Sequence, residues 1–181
     1  MGYVDDGAYS YAHTDPVILS EVLSRKYALL EDWMNSNKLV VNPDKTHLMV
    51  MGKSVARRGH VSLQAGPFTI LPTETEKLLG GQLHQSLQWN HHIRDHESSM
   101  VRQLTTRING LKKISANATF NTRLMIANGV VMSKMVYLIN LWGGAQQYLL
   151  KALQVQQLTA ARAVCGFFSY SWSKKKLLSR V

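Results

Sequence analysis

Two adjacent carboxylates, Asp5 and Asp6, are the residues of this sequence whose types and spacing are best suited to chemistry. They follow Tyr3 and precede Gly7 and an alternating, aromatic-rich stretch that predicts a strand, so we expect the pair at the tip of a hairpin. Neighbouring carboxylates repel each other, and a divalent cation with oxygen ligands is the simplest counter-charge. The pattern therefore predicts metal-dependent phosphoryl transfer, in which two divalent ions about 3.5 to 4 Å apart stabilise the entering and leaving oxygens.

A third carboxylate is required, because the side chains of adjacent residues on an extended chain point to opposite faces. Asp15 and Asp44 are the nearest substitutes in the chain. Asp15 is better explained as a helix cap before Pro16, and Asp44 as a turn residue. From spacing alone, a solvated acidic turn remains an alternative interpretation of Asp5 and Asp6.

Two histidines, His92 and His96, have the i, i+4 spacing of zinc ligands on a helix. No glutamate follows His92, and no distant third ligand is evident. The alternative is a pair of surface histidines on a basic helix, in contact with phosphate.

Positive charge is concentrated in the later part of the chain. The net charge is +10, which divides into −3 over residues 1–51 and +13 over residues 52–181. No Asp or Glu occurs after Glu97, whereas twelve Lys and Arg residues do. Cations without internal carboxylate partners favour a polyanion, whose binding weakens steeply as salt rises. A solvated charged face is the alternative interpretation, and a membrane surface is a poorer one.

The chain has 181 residues, of which 45% are hydrophobic, as expected for a globular protein of one or two small domains. The single cysteine, Cys165, cannot form an internal disulfide, and we expect it to fill space in a core.

The most hydrophobic run, residues 126–145, is interrupted by Asn128, Lys134 and Asn140, so we expect a buried helix and no membrane partner. The composition predicts an intracellular protein, cytoplasmic or nuclear.

Asp15 followed by Pro16 predicts the start of a helix. Its apolar residues fall on one stripe, made of Leu19, Leu23, Leu30, Trp33 and Met34. We therefore expect this helix to cover one face of a sheet.

Short alternating segments predict antiparallel strands. They cover residues 38–41 and 46–51 around a turn at Asn42-Pro43-Asp44, then 61–63 and 68–71, and finally 77–83. From Asn90 the hydrophobic period becomes helical, with a stripe made of Ile93, Met100, Leu104, Ile108 and Leu111. A central helix is predicted over residues 121–140, and an amphipathic helix over 147–164, ended by Gly166. The fold class predicted is α+β.

Five segments taken in order resemble the reverse transcriptases of non-LTR (LINE-like) retrotransposons. The first is Tyr3-Val4-Asp5-Asp6, which matches the Tyr-x-Asp-Asp box of that family's palm. The others are residues 38–46, 77–83 with 87–93, 133–137 with 141–145, and 153–157 with 160–162. The resemblance implies a partial polymerase palm over residues 1–88, with antiparallel strands and one covering helix. It further implies a three-helix thumb over 89–170 and a basic tail over 171–181.

The resemblance also implies roles for individual residues. Asp5 and Asp6 would be catalytic ligands of Mg²⁺ or Mn²⁺, and Lys45 would act near the departing pyrophosphate. The residues implied in nucleic-acid binding are Tyr3, Gly80, Gly81, Trp89, Arg102, Arg107, Lys112, Lys113 and Lys134. The implied partners are an RNA template, a DNA primer and deoxynucleoside triphosphates.

Only Met1 and Gly2 precede the Tyr-x-Asp-Asp box, whereas the family has fingers and a further catalytic aspartate upstream. The resemblance therefore implies the C-terminal part of a polymerase domain, which we expect to be inactive, and metal-free, as an isolated piece. The alternatives are a retroelement-derived nucleic-acid-binding module without catalysis, and a relic that folds but binds nothing.

Overall fold

The structure, a computed structural model, describes residues 2–3, 6–52 and 60–166, with side chains from Gly7 onward. It combines helices with small two-stranded sheets, so the α+β class is confirmed. The chain forms two compact units. Unit 1 comprises residues 1–76 and 85–87, and unit 2 comprises residues 77–84 and 88–181.

The first helix of unit 1, α1 (Pro16–Ser36), begins as the sequence predicts. Pro16 lies in its first turn, and the Asp15 carboxylate accepts a hydrogen bond of 2.8 Å from the Val17 amide. This bond satisfies a backbone donor that has no partner within the helix. Asp15 is thus explained by a capping role.

The buried face of α1 differs from the predicted stripe at one end. Leu19, Leu23 and Tyr27, each four residues apart, pack with a core made of Leu48, Val61, Leu63 and Ala65. Trp33 is 58% exposed, so its assignment to the buried stripe was wrong. A helix has 3.6 residues per turn, so residues spaced four apart move gradually around its surface. The contacts of α1 with the core end at Tyr27, and Trp33 lies beyond them.

Two hairpins lie in unit 1. Strands β1 (Gly2–Tyr3) and β2 (Asp6–Gly7) are antiparallel, with Tyr3 opposite Asp6. Asp6 thus lies in a paired strand, and the expected position of Asp5 at the hairpin tip falls outside the described residues. Strands β3 (Leu63–Ala65) and β4 (Phe68–Ile70) form a second hairpin, in which the first strand begins two residues later than the predicted 61–63 and the second matches the predicted 68–71 closely. Gly66, between them, has a φ of +55°, which suits the first position of a two-residue hairpin link.

The strands predicted over residues 38–41 and 46–51 do not form. Lys38 is in the left-handed region, Val40 is 90% exposed, and Pro43–Lys45 is a 3₁₀ turn in which the Asn42 side chain accepts from the Asp44 amide. In this segment a lone bridge joins Leu48 to Pro72. An alternating sequence becomes a strand only where a partner supplies a row of hydrogen bonds, and the partner described here reaches the segment only around Leu48, whose carbonyl accepts a bond from the Thr73 amide.

The strand predicted over residues 77–83 is two strands, β5 (Thr75–Leu78) and β6 (Gly81–His84), which pair in a two-stranded sheet. Leu79 and Gly80 connect them, with φ angles of +47° and +81°. Two successive left-handed residues make the tight turn of a hairpin. A leucine at the first of these positions hides the turn from sequence analysis, because turns of this kind favour Asn, Asp or Gly.

Unit 2 is built on helices. These are a π-helical turn (His91–Asp95), α2 (Met100–Ile114), α3 (Phe120–Ile126), a π-helical segment (Ala127–Met132), α4 (Ser133–Val136), α5 (Ile139–Trp142) and α6 (Gln147–Cys165). Gly166, with a φ of +74°, caps α6 as predicted. The main core is made of Ile93, Met100, Leu104, Ile108, Val131, Met135, Trp142, Leu149, Leu153 and Ala160. The predicted stripe on α2 is confirmed, because Met100, Leu104, Ile108 and Leu111 are its buried residues. Cys165, at the end of α6, is half-buried and has a free thiol.

The predicted central helix over residues 121–140 is not central. The helical segment from Phe120 to Val136 buries only Ala127, Val131 and Met135, whereas α2 packs along α6. Met125 and Val136 are exposed.

Within the described ranges, no helix is long and apolar enough to cross a membrane.

The core of unit 2 gives a direct test of this packing. Leu104 is fully buried on α2, whereas Val155 on α6 is largely exposed. Leu104→Ala should lower the free energy of unfolding by roughly 2–5 kcal/mol, because it leaves a cavity. Val155→Ala should change it by less than about 0.5 kcal/mol. Urea unfolding followed by circular dichroism would measure both, and equal effects would contradict the assignment of α2 to the core.

Candidate nucleic-acid interface

The chain leaves the helical segment at Tyr137, and this break shapes the candidate site. Tyr137 has extended backbone angles, and Leu138 is left-handed with a φ of +58°. The indole Nε1 of the buried Trp142 donates a 2.8 Å hydrogen bond to the Tyr137 carbonyl. This bond fixes the break and leaves the Tyr137 side chain 45% exposed at the surface of unit 2.

Tyr137 lies against the turn between β5 and β6. Its hydroxyl donates a 2.6 Å hydrogen bond to the Leu79 carbonyl. A Cβ at Gly80 would lie 3.3 Å from Tyr137 Cε1, and a Cβ at Gly81 would lie 2.9 Å from Leu138 Cδ1. A side chain at either position would therefore crowd its neighbours within unit 2, and this internal packing explains the two glycines. Their contact with nucleic acid, which the resemblance implies, stays a prediction.

Lys134 extends over the face of this tyrosine, with its Nζ 5.7 Å from the ring centroid. Partial burial, and then the positive charges of Arg107 and Lys77, lower the pKa of Lys134 from its ordinary value of 10.5. Lys77 comes from β5, Arg107 from α2 and Lys134 from α4. We call these three residues the cationic cluster.

The cationic cluster has no acidic partner within the part of the chain that the structure describes. Arg107 Nη1 donates a 2.6 Å hydrogen bond to the Val130 carbonyl, which holds the guanidinium without neutralising it. Glu76 directly precedes Lys77 in the sequence, but its carboxylate is paired with His47 in unit 1 and not with these cations. Lys134, with the positive charges of Arg107 and Lys77 acting on it and no carboxylate paired with the three, forms a site suited to an anion.

The other cations predicted to bind nucleic acid do not join the cationic cluster. Arg102 and Lys113 are exposed and lie about three whole turns apart on α2, so they share the face of the helix that points away from the core. Lys112 lies on the opposite flank of the core stripe from Arg107. The predicted cations of α2 are thus spread around the helix.

His92 is part of the core rather than a metal ligand. It is 4% exposed, and its Nδ1 accepts a 3.2 Å hydrogen bond from the Gln82 amide, while its Nε2 is buried without a hydrogen-bond partner. His96 Nδ1 is engaged 2.8 Å from the Ser98 hydroxyl. The residues described contain no group of three or more His, Cys, Asp or Glu side chains that could hold a metal ion.

Trp89 is half-buried and packs against the main core of unit 2. Its ring meets the His92 ring edge-on, with centroids 5.9 Å apart. These contacts give Trp89 a packing role within unit 2. A role in positioning a primer stays a prediction.

The predicted catalytic residues are only partly described. Asp5 lies outside the described residues, and of Tyr3 and Asp6 only the backbone is described, in the paired strands β1 and β2. Lys45 is exposed at the end of the 3₁₀ turn in unit 1. Their roles in catalysis stay predictions.

Two residues of the candidate site, Lys77 and Tyr137, were not among those predicted to bind nucleic acid. Both lie in segments that resemble the family, but neither was singled out for binding. The aromatic residue three positions after Lys134 is the available signal, because such spacing places two side chains on one helical face. The break at Leu138, which aims Tyr137 at the turn, has no glycine, asparagine or proline to mark it.

Comparison with known proteins adds no family to this description. No protein-family model, curated protein or solved structure matches the chain. What the site does must therefore be inferred from its own residues.

Burial of His92 predicts a pH dependence of stability. Burial, followed by the charge of Lys134, lowers the pKa of His92 from its ordinary value of 6.5. The folded chain then binds fewer protons than the unfolded chain just below that pH. The stability is therefore present above about pH 6.5 and is lost as the pH falls toward the folded pKa.

His92→Asn keeps a hydrogen-bond acceptor for the Gln82 amide but cannot titrate. We expect the free energy of unfolding of the original chain to fall more steeply between about pH 7 and pH 5 than that of the variant. The exposed His60 supplies a control, since His60→Asn should keep the original slope. Parallel curves for the original chain and His92→Asn would contradict the prediction.

Proposed function

We propose that unit 2 binds the sugar–phosphate backbone of a nucleic-acid duplex, as the thumb of a reverse transcriptase of the non-LTR (LINE-like) kind. The observation that supports this proposal best is the cationic cluster, in which the positive charges of Lys77 and Arg107 act on Lys134 and no described carboxylate is paired with any of the three. A backbone phosphate supplies the missing negative charge, and the counterions it releases favour binding. The acid-free sequence after Glu97 supports the same ligand.

The chemistry of the three cations suits phosphate oxygens. Arg107 keeps donors of its planar guanidinium after bonding Val130, and the lysine ammonium groups bind as compact point charges. Such contacts fix a duplex in place and carry no sequence information. The proposed ligand is therefore a duplex recognised by its backbone, and an RNA template paired with a DNA primer is the duplex that the resemblance implies.

The polymerase part of the proposal rests on the resemblance. Asp5 and Asp6 would hold Mg²⁺ or Mn²⁺, which stabilises the charge on the entering and leaving oxygens when a nucleotide is transferred. Lys45 would neutralise charge on the departing pyrophosphate. The metal ligand set stays untested, because the described side chains begin after this pair.

A second candidate is a retroelement-derived module that binds nucleic acid without catalysis. It is favoured by the position of the cationic cluster, which lies wholly in unit 2 and does not use the acidic pair. Primer extension with Mg²⁺ or Mn²⁺ separates the two candidates in one direction. Extension that is lost in Asp5→Ala would favour the polymerase and would overturn the expected inactivity of the isolated piece, whereas hybrid binding without extension is the result that both candidates predict for this piece.

The binding proposal is tested with a short RNA:DNA hybrid without metal. If the three clustered cations each contact one phosphate, log K against log salt should fall with a slope of about −2.7 from these contacts alone. Lys134→Gln should weaken binding and reduce the magnitude of that slope by about one. Fluorescence anisotropy over a range of salt concentrations measures both quantities.

Lys26→Gln is a charge-matched control, because Lys26 is an exposed lysine of unit 1. We expect it to leave the affinity and the slope unchanged. No binding at low salt would overturn the proposal. Equal losses from Lys134→Gln and Lys26→Gln would show that net charge, and not the cationic cluster, holds the duplex.

A further inference from the structure

Tyr137 joins two parts of the candidate interface, the turn between β5 and β6 and the helix α4 that carries Lys134. Its hydroxyl holds the Leu79 carbonyl at 2.6 Å, and its ring lies under Lys134 Nζ at 5.7 Å. Its own carbonyl is held by the buried Trp142. The side chain is thereby fixed at both ends, to the core through its backbone and to the turn through its hydroxyl.

We propose that Tyr137 is a positioning residue for backbone binding: its hydroxyl holds the Leu79-Gly80 turn so that Lys77 stays near Lys134. This inference rests on the proposed function, because it concerns the same cationic cluster. It adds a neutral side chain to the site, which charge patterning does not identify.

The turn needs such a support. Leu79 has a φ of +47°, a region that a leucine rarely adopts because its Cβ crowds the following carbonyl. A hydrogen bond to the Leu79 carbonyl favours this conformation over extended ones. Lys77 precedes Leu79 by two residues on β5, so the conformation of the turn determines where its ammonium group lies.

The support also opposes electrostatic repulsion. The positive charge of Lys77 lowers the pKa of Lys134, because it disfavours a second positive charge nearby. Without an anion present, the two cations repel each other, and a loosened turn would let Lys77 move away. The Tyr137 hydroxyl keeps the cations together before the phosphate arrives, which lowers the ordering cost of binding.

Tyr137→Phe isolates the hydroxyl, because the ring that packs on Gly80 and lies under Lys134 remains. We expect this variant to bind the RNA:DNA hybrid roughly 3- to 10-fold more weakly, the loss expected for one hydrogen bond. In a Lys77→Gln background the same change should cost less than about 2-fold, because the cation that the hydroxyl positions is gone. In a Lys113→Gln background, where the missing cation is on the outward face of α2, it should again cost about 3- to 10-fold.

A residue that only stabilises the fold would weaken binding equally in all three backgrounds. That result, or an unchanged affinity in Tyr137→Phe, would overturn the inference. Amide hydrogen exchange is a second measurement: it should speed up in Tyr137→Phe at Leu79 and Gly80 but not in α2, and unchanged exchange at the turn would also overturn the inference. Failure of the original chain to bind the hybrid would overturn the proposed function instead, so the two failures are distinguishable.

Discussion

The end of the helical segment at Tyr137 and Leu138 is the constraint on which unit 2 depends. A left-handed leucine costs about 1–2 kcal/mol relative to the helical conformation. The cost is offset by the hydrogen bond from Trp142 to the Tyr137 carbonyl and by the packing of Leu138 on the main core. Because the helix ends there, Trp142 enters the core and Tyr137 meets the β5–β6 turn. A helix that continued to Asn140 would carry both side chains elsewhere.

The same break brings the charges together. Lys134 lies on the last helical turn before it, Lys77 is on the strand that leads into the tyrosine-bound turn, and Arg107 comes from the neighbouring helix. The repulsion of Lys134 by the other two cations is an energetic cost that a bound counter-charge would remove. The absence of carboxylates after Glu97 means that the following helices cannot supply this counter-charge. A phosphate backbone can, and this requirement links the fold of unit 2 to its proposed function.

Sequence reasoning succeeded where local chemistry decides the structure. Asp15 with Pro16, the α2 stripe and Gly166 were predicted because caps and 3.6-residue periods act within a few residues. It was wrong where long-range contacts decide: the segments near Val40 lack a strand partner, and the 121–140 helix breaks at a leucine. The site was predicted in part, as Arg107 and Lys134. Lys77 and Tyr137 were missed because their roles come from a contact between residues 58 positions apart.

The location of the bound duplex tests the central claim most directly. Lysine acetylation of the full chain, with and without an RNA:DNA hybrid, reports by mass spectrometry which ammonium groups the ligand covers. The account predicts that the hybrid protects Lys77 and Lys134 while Lys26 keeps its reactivity. Protection confined to other lysines, with Lys77 and Lys134 as reactive as in the free protein, would contradict it.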